Sequence, residues 1–237
     1  MDTQIIKKEM EAEGTLSVYL KKPEGFIYKA GQSIDLFLIN PPETDAEGNK
    51  RAYSLSSAPE EDYLKITTRL RDTAFKRVLQ KLPDGNPLTL EGPFGDFTLQ
   101  NNTSRPAVFL IGGVGVTPIR SMIVDATIRN LPHKLFLFYS NRRPEDAVFL
   151  TELKELEEKN KNFKLIATMT NMEDSKESWS GETGYINKEM LMKYLPDLNS
   201  PIYYMSGPAV MVFAMRKVLS DAGINDNDIR SEEFTGY

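Results

Sequence analysis

Ala107-Val108-Phe109-Leu110-Ile111-Gly112-Gly113-Val114-Gly115-Val116-Thr117-Pro118 lies near the middle of the 237-residue chain and decides how the rest is read. An apolar run enters a glycine turn and leaves it into an apolar-periodic helix from Pro118 to Arg129. Gly112, Gly113 and Gly115 allow unusual backbone angles and close approach by a ligand. The free N–H groups at the start of the helix favour phosphate. Pro118 suits a first helical turn, where its missing N–H costs nothing. Thr117 can cap that helix and also reach a diphosphate. The Lys-hydroxyl ending of a Walker A loop is missing, as is the usual Gly-x-Gly-x-x-Gly pattern. A plain strand-to-helix turn therefore remains an alternative.

Downstream, strand and helix patterns alternate. Lys134–Tyr139, Phe163–Met169 and Ile202–Met205 read as strands. Glu145–Lys159 reads as a helix with Phe149, Leu150, Leu153 and Leu156 on one face, and Lys188–Tyr194 and Pro208–Ala222 read as further helices. This order predicts a parallel sheet with helices on both faces. Thr170–Tyr185 is polar and poorly patterned, and is expected to be a long loop at the strand ends. Upstream the chain is β-rich, with short candidate strands at Leu16–Leu20, Ser33–Leu38, Arg51–Ser54, Tyr63–Arg69 and Pro87–Glu91. Such strands predict a sandwich or small antiparallel barrel. Phe75, Val78, Leu79 and Leu82 recur at helical spacing, so one helix over Thr73–Leu82 is expected to cover a barrel end. The polar stretch Asn101–Pro106 is the best boundary, giving a two-domain chain divided into residues 1–103 and 104–237.

Composition narrows the function. The formal net charge is −5 with no long basic stripe, which gives nucleic-acid binding little electrostatic support. No apolar run reaches the roughly 18 residues of a membrane span, and Met1-Asp2-Thr3-Gln4 lacks the layout of a secretion signal. A cytoplasmic protein is the expectation. The absence of Cys excludes disulfides, a Cys nucleophile and Cys-ligated iron–sulfur clusters within this chain. The one histidine, His133, leaves no His-rich metal site, and its polar turn predicts an ordinary surface residue. No acidic spacing argues for a carboxylate metal site. Redox chemistry here would have to ride on an organic cofactor.

A second signature stands earlier. Alternation along Arg51-Ala52-Tyr53-Ser54 puts Arg51 and Tyr53 on one face. Arg51 offers a rigid donor fork for phosphate, Tyr53 a flat ring and a hydroxyl, and Ser54 a donor for a ring edge. A barrel strand with an amphipathic exterior accounts for the same residues equally well.

Taken in order, Arg51-Ala52-Tyr53-Ser54, Glu91-Gly92-Pro93-Phe94-Gly95, the Gly112–Pro118 turn, Ser206-Gly207-Pro208 and Glu232-Glu233-Phe234 resemble the ferredoxin–NADP reductase superfamily, in its short form without an attached iron–sulfur or haem domain. The resemblance spans almost the whole chain. It implies an N-terminal flavin-binding barrel followed by a nicotinamide-nucleotide-binding α/β domain, with FAD ahead of FMN as the flavin and NADPH or NADH as the nucleotide. By that resemblance Arg51 pairs with flavin phosphate, Tyr53 contacts the ring or ribityl region, and Ser54 sits near flavin N5. The family's glycine-rich, serine-containing helix start corresponds here to Arg71-Asp72-Thr73-Ala74-Phe75-Lys76, where the glycines are gone but the Thr73 hydroxyl remains. Gly92, Phe94 and Gly95 would form the turn beside the flavin phosphates. A tight barrel turn is the bland alternative.

The resemblance also assigns Gly112, Gly113, Gly115, Thr117 and Pro118 to the nicotinamide dinucleotide. Ser206-Gly207-Pro208 stands where the family commonly has Cys-Gly-Pro, beside the reacting nicotinamide. A simple capped turn is its alternative reading. In the terminal Ser231–Tyr237, Glu233 would influence protonation near N5, and Phe234 or Tyr237 would stack on the ring until nicotinamide displaces it. Ordinary packing is the alternative. Arg142 and Arg143 follow the next strand and are placed to meet the 2′-phosphate of NADP, whereas Glu182 falls where some NADP users carry basic groups. The reading leans to NADPH with NADH open. The implied reaction is hydride transfer between NAD(P)H and flavin, with Ser54, Ser206 and Glu233 nearest the chemistry and a ferredoxin, flavodoxin or other redox protein as acceptor. Two other readings are a reductase subunit of a multicomponent oxygenase or dehydrogenase, and a nonredox regulatory module that kept the fold and lost the flavin.

Overall fold

A computed structural model describes residues 1–234 of the chain, which divides into two compact units. The first comprises Met1–Thr98 together with Thr117–Asp125, and the second Leu99–Val116 together with Ala126 onward.

Unit 1 is a six-stranded antiparallel sheet. Its strands are β1 (Asp2–Ala12), β2 (Thr15–Lys21), β3 (Ser33–Leu38), β4 (Lys50–Ser54), β5 (Tyr63–Arg69) and β6 (Pro87–Phe94), in the order β4-β3-β6-β1-β2-β5. A bridge between Leu55 and Ile66, with Ser56 N–H donating to Lys65 O at 2.8 Å, closes β4 onto β5 and makes the sheet a barrel. Burial follows the pleat: Ile34, Leu36 and Leu38 of β3 face the core while Ser33, Asp35 and Phe37 are only half-buried. Helix α1 (Ala74–Lys81) starts at Thr73, whose side chain accepts from Lys76 N–H, and it buries Phe75, Val78 and Leu79. Strand β1 was not among the expected strands. Apart from Thr3 and Ile5 its side chains are exposed or half-buried, so it carries almost no hydrophobic alternation and is held by backbone pairing to β2 and β6.

Unit 2 is a parallel sheet. Its strands are β7 (Ala107–Gly112), β8 (Leu135–Asn141), β9 (Phe163–Met169), β10 (Glu182–Thr183), β11 (Ile202–Pro208) and β12 (Ile229–Phe234), in the order β10-β9-β8-β7-β11-β12. The chain builds outward from β7 in one direction, then returns to add β11 and β12 on the other side. The reversal lies between β7 and β11, the position at which open α/β sheets generally bind ligands. The helices are α2 (Val116–Ile128), α3 (Leu150–Lys159), α4 (Lys188–Tyr194) and α5 (Ala209–Asp221).

Four expectations need correction. The helix expected over Glu145–Lys159 is broken: Pro144–Asp146 makes a single tight turn, and Phe149 takes a left-handed backbone (φ 60°) before α3 begins. A bidentate pair between Arg143 and Asp146 (2.9 and 3.0 Å) and the Tyr139 hydroxyl at Val148 O (3.1 Å) hold that turn in place of helix. His133 is buried, with Nε2 2.7 Å from Gln100 O. The terminal segment read as a tail contributes the end of β12, and within Thr170–Tyr185 the two residues of β10 pair with β9. Tyr237 and the Phe234 side chain lie outside the described residues. Among the described residues no helix is long and apolar enough to cross a membrane.

Within unit 1 the Thr117–Asp125 portion of α2 is fastened to the segment that follows β4. Arg120, almost fully buried, donates to Ser56 O at 2.6 Å and to the Glu61 carboxylate at 2.9 and 3.2 Å, and Ser121 donates to Ser57 O at 2.6 Å. Burial pushes the Glu61 carboxyl up, but the Arg120 guanidinium outweighs it and holds the group below the usual carboxylate range. A folded pKa below the unfolded value of about 4.3 means stability that is present above that value and lost as pH falls through the folded pKa. Glu61→Gln is therefore expected to cost about 2–3 kcal/mol at pH 7 and to flatten the acid limb of the stability–pH curve, as read by denaturant unfolding at stepped pH.

Candidate functional site

The glycine turn sits at the C-terminal end of β7, against the end of β11. A Cβ built on Gly115 would lie 2.4 Å from Ser206 O and 2.7 Å from Gly207 N. One on Gly207 (φ +152°) would lie 3.2 Å from Gly112 O. The two turns thus touch backbone to backbone at the point where strand order reverses, which only residues without side chains permit. The Ser206 side chain is fully buried there, and its hydroxyl has no hydrogen-bond partner. An orphaned buried hydroxyl carries a desolvation cost that a ligand's polar group would relieve. Pro208 is half-buried beside it, and Thr117 and Pro118 are buried at the start of α2. Register pairing sets Glu233 opposite Gly207 and Phe234 opposite Pro208, and the Glu233 side chain is exposed.

The loop after β8 separates its two arginines. Arg143 is committed to Asp146. Arg142 is exposed and makes no side-chain hydrogen bond or ion pair among the described residues. Asn141, just before it, is buried with its Nδ2 unpartnered. Glu182 is taken up by Lys193 at 2.5 Å and by the Tyr194 hydroxyl.

In unit 1, barrel register brings the other predicted residues together. Ser33 pairs with Ser54 on one side and Phe94 on the other, and the Gln32 side chain donates to Gly95 O at 2.9 Å. Ser54 is buried and Phe94 is largely exposed. Gly92 (φ +141°) lies close under β3, where a Cβ would come within 3.1 Å of Ser33 O. Tyr53 and Arg51 share a face, as the alternation predicts: the Tyr53 ring packs on Phe75 with centroids 6.2 Å apart, and the Arg51 guanidinium lies 5.1 Å from the same ring. Tyr53 is buried in the barrel core, and burial drives its phenol well above the usual range. Thr68 approaches its hydroxyl without completing a hydrogen bond of ordinary geometry.

Arg71, Thr73 and Lys76 surround the start of α1. Burial, then the charges of Arg71 and Arg51, lower the Lys76 ammonium pKa, and its Nζ donates to Arg69 O at 2.8 Å. The neighbouring cations, the helix dipole and the orphaned Tyr53 hydroxyl fit an anionic cofactor. Arg51 itself is engaged by Asp45 at 2.6 Å and Glu47 at 2.9 Å. Sequence reasoning missed these two acids, Lys76 and Asn141. The available signal was the alternation of Glu43, Asp45 and Glu47 immediately ahead of Arg51.

Comparison with known proteins agrees with this geometry. The family described as "Oxidoreductase NAD-binding domain" matches residues 109–217. The glycine betaine monooxygenase reductase component of Chromohalobacter salexigens is 32% identical over 216 residues, 90% of this chain and 58% of that protein. A component of the Na(+)-translocating NADH-quinone reductase of Pseudoalteromonas atlantica is 29% identical over 201 residues, 78% of this chain and 49% of that protein. The chain therefore spans about half the length of these relatives. Among solved structures, a ferredoxin NADP+ reductase from Neisseria gonorrhoeae with bound FAD and NADP superposes with a TM-score of 0.80 at 22% identity, covering 98% of both chains. A cytochrome P450 reductase from Amycolatopsis gives 0.83 at 22% identity, covering 100% of this chain and 70% of that one. Residues 109–217 belong to the oxidoreductase NAD-binding domain family. An antiparallel barrel and a parallel sheet flanked by helices give the chain the two-domain fold of the ferredoxin–NADP reductases.

The glycines can be ranked. A Cβ at Gly115 meets backbone, whereas one at Gly112 meets first the flexible Met211 side chain, at 2.3 Å. Gly115→Ala is expected to lower stability by about 1–3 kcal/mol and Gly112→Ala by less, compared by thermal unfolding.

Proposed function

We propose that the protein is a flavin-dependent NAD(P)H reductase that passes electrons to a separate redox protein. The observation that carries this reading is the paired turn at Gly112–Gly115 and Ser206–Gly207, with its unpartnered buried hydroxyl. Gly112, Gly113 and Gly115 would take the dinucleotide backbone-to-phosphate, Thr117 and Pro118 would present the helix start, and Ser206 would hydrogen-bond the nicotinamide end. In unit 1, Tyr53, Ser54, Gly92, Phe94 and Gly95 would line the flavin, and Arg51, Arg71 and Thr73 would receive its phosphate. The bound flavin supplies the exchange between two-electron and one-electron carriers. The protein's part is to orient the rings and exclude water. Glu233, exposed at the end of β12, is offered as the proton-handling group. FAD is favoured over FMN because a neighbour of the same fold was solved with FAD and NADP bound.

The acceptor is a ferredoxin, a flavodoxin or the oxygenase component of a multicomponent system. The monooxygenase reductase relative favours the last of these. The test is an anaerobic visible spectrum of the purified chain incubated with FAD or FMN, then titrated with NADH and with NADPH. Bleaching of bound flavin supports the reading. A chain that never binds flavin sinks it and favours a nonredox module.

The unpaired Arg142 supports NADPH over NADH. Arg142→Ala is expected to raise KM for NADPH about tenfold, the scale of one charge-assisted contact, with KM for NADH unchanged. An equal change for both nucleotides would remove Arg142 from the 2′-phosphate.

A further inference from the structure

Every nitrogen of the Arg51 guanidinium already has a partner, which leaves a single Nη2 N–H for a ligand. Nη1 donates to the carbonyls of Glu47, Gly48 and Lys50 (3.2, 3.1 and 2.7 Å), Nη2 to Asp45 Oδ1 at 2.6 Å, and Nε to Glu47 Oε2 at 2.9 Å. The guanidinium is largely buried, with its side chain 14% exposed. The Asp45 carboxylate accepts from Arg51 Nη2 and from the backbone N–H of Glu47 at 3.1 Å, and the Arg51 guanidinium lies against Phe75 in the first turn of α1. One carboxylate therefore takes the arginine donor that a phosphate would use at this place. Glu43 holds the same loop to α1 through Arg77, at 2.7 and 3.2 Å. Close by, the Tyr53 hydroxyl is buried and unpartnered, on a ring packed against the Phe75 side chain that lies under Arg51.

We propose that the loop carrying Glu43, Asp45 and Glu47 is an internal plug: Asp45 occupies the Arg51 donors beside the first turn of α1, and a phosphorylated flavin takes those donors only by displacing the carboxylate. This rests on the flavoprotein reading above. Charge balance supports it. The largely buried Arg51 guanidinium needs a counter-anion, and the loop supplies one from within the chain. Displacement exchanges one anion for another on the same donors, so the affinity for flavin phosphate is set by competition and not by the seat alone. The isoalloxazine and ribityl portions do not take part in that exchange. The plug therefore selects against the phosphate end of the cofactor only.

The test measures binding of riboflavin, FMN and FAD to the flavin-free chain by fluorescence, for wild type and Asp45→Asn at constant ionic strength. Asparagine keeps an acceptor for the Glu47 N–H and removes the charge. The plug predicts that Asp45→Asn tightens FMN and FAD about tenfold, the scale of one charge-assisted contact, and leaves riboflavin within about twofold by the same competition argument. Adding Arg51→Ala should cancel the gain. Glu47→Gln, at a side chain 76% exposed, should shift FMN and FAD in the same direction and serves if Asp45→Asn does not fold. Weaker FMN and FAD binding in Asp45→Asn, no change, or an equal gain for riboflavin would each overturn the plug while leaving the flavoprotein reading intact. Inorganic pyrophosphate, titrated by calorimetry, separates the two ideas. Tighter pyrophosphate binding in Asp45→Asn that depends on Arg51 upholds the plug even in a chain that binds no flavin. A chain in which neither flavin nor pyrophosphate responds to Asp45→Asn refutes it.

Discussion

The contact on which unit 2 depends is the one between Gly115 and the Ser206–Gly207 backbone. It sets how closely the turn after β7 approaches the end of β11 at the strand-order reversal. Any side chain at Gly115 would push the two turns apart, just beyond the β7–β11 ladder that is paired from Ile202–Ala107 to Ser206–Ile111. The same closeness seals the Ser206 hydroxyl from water and leaves it without a partner. Tight packing and an unsatisfied polar atom arise here from one constraint. A site that keeps such an atom buried is prepared for a polar ligand.

Unit 1 solves a different problem by different means. Its seat beside the start of α1 is built from side-chain charges and not from backbone alone. Arg51 and Lys76 lie there, and the Lys76 pKa is lowered first by burial and then by the charges of Arg71 and Arg51. From one loop Asp45 and Glu47 pair with Arg51, and Glu43 pairs with Arg77 of α1. A cation cluster of this kind is stable only with a counter-anion, whether carried by the chain or by a ligand.

The fold was largely legible because the glycine turn fixes the strand-to-helix direction and apolar runs mark β7, β8, β9 and β11. Strand β1 escaped because it carries charge where a core strand carries alternation, and β12 because six residues ending in acids and an aromatic look like a tail when read alone. The break before α3 escaped because Phe149 stays buried: its position fits helical spacing while its backbone is left-handed. His133 misled for a related reason, since a polar turn in sequence folded over Gln100. In the sites, spacing located Arg51, Tyr53, Ser54 and the glycines, but it did not reveal what each side chain would hold. Pairings such as Arg143 with Asp146, or Asp45 with Arg51, join short-range neighbours whose geometry depends on a turn type that composition does not specify.

The two sites therefore differ in how a substitution would act on them. At the paired glycine turns, binding geometry and stability are coupled, because the same backbone contact supplies both. At the α1 seat they separate. Neutralising one acid of the loop changes which anion the cations prefer while the barrel core of Ile34, Leu36 and Leu64 stays as it was. Evolutionary tuning of cofactor affinity is easier in the second kind of site than in the first, because a one-charge change there leaves the packing of the fold untouched. On the function proposed above, a backbone-built cleft for the nucleotide and an adjustable charge balance for the flavin phosphate would give one chain a fixed geometry at one site and an adaptable affinity at the other.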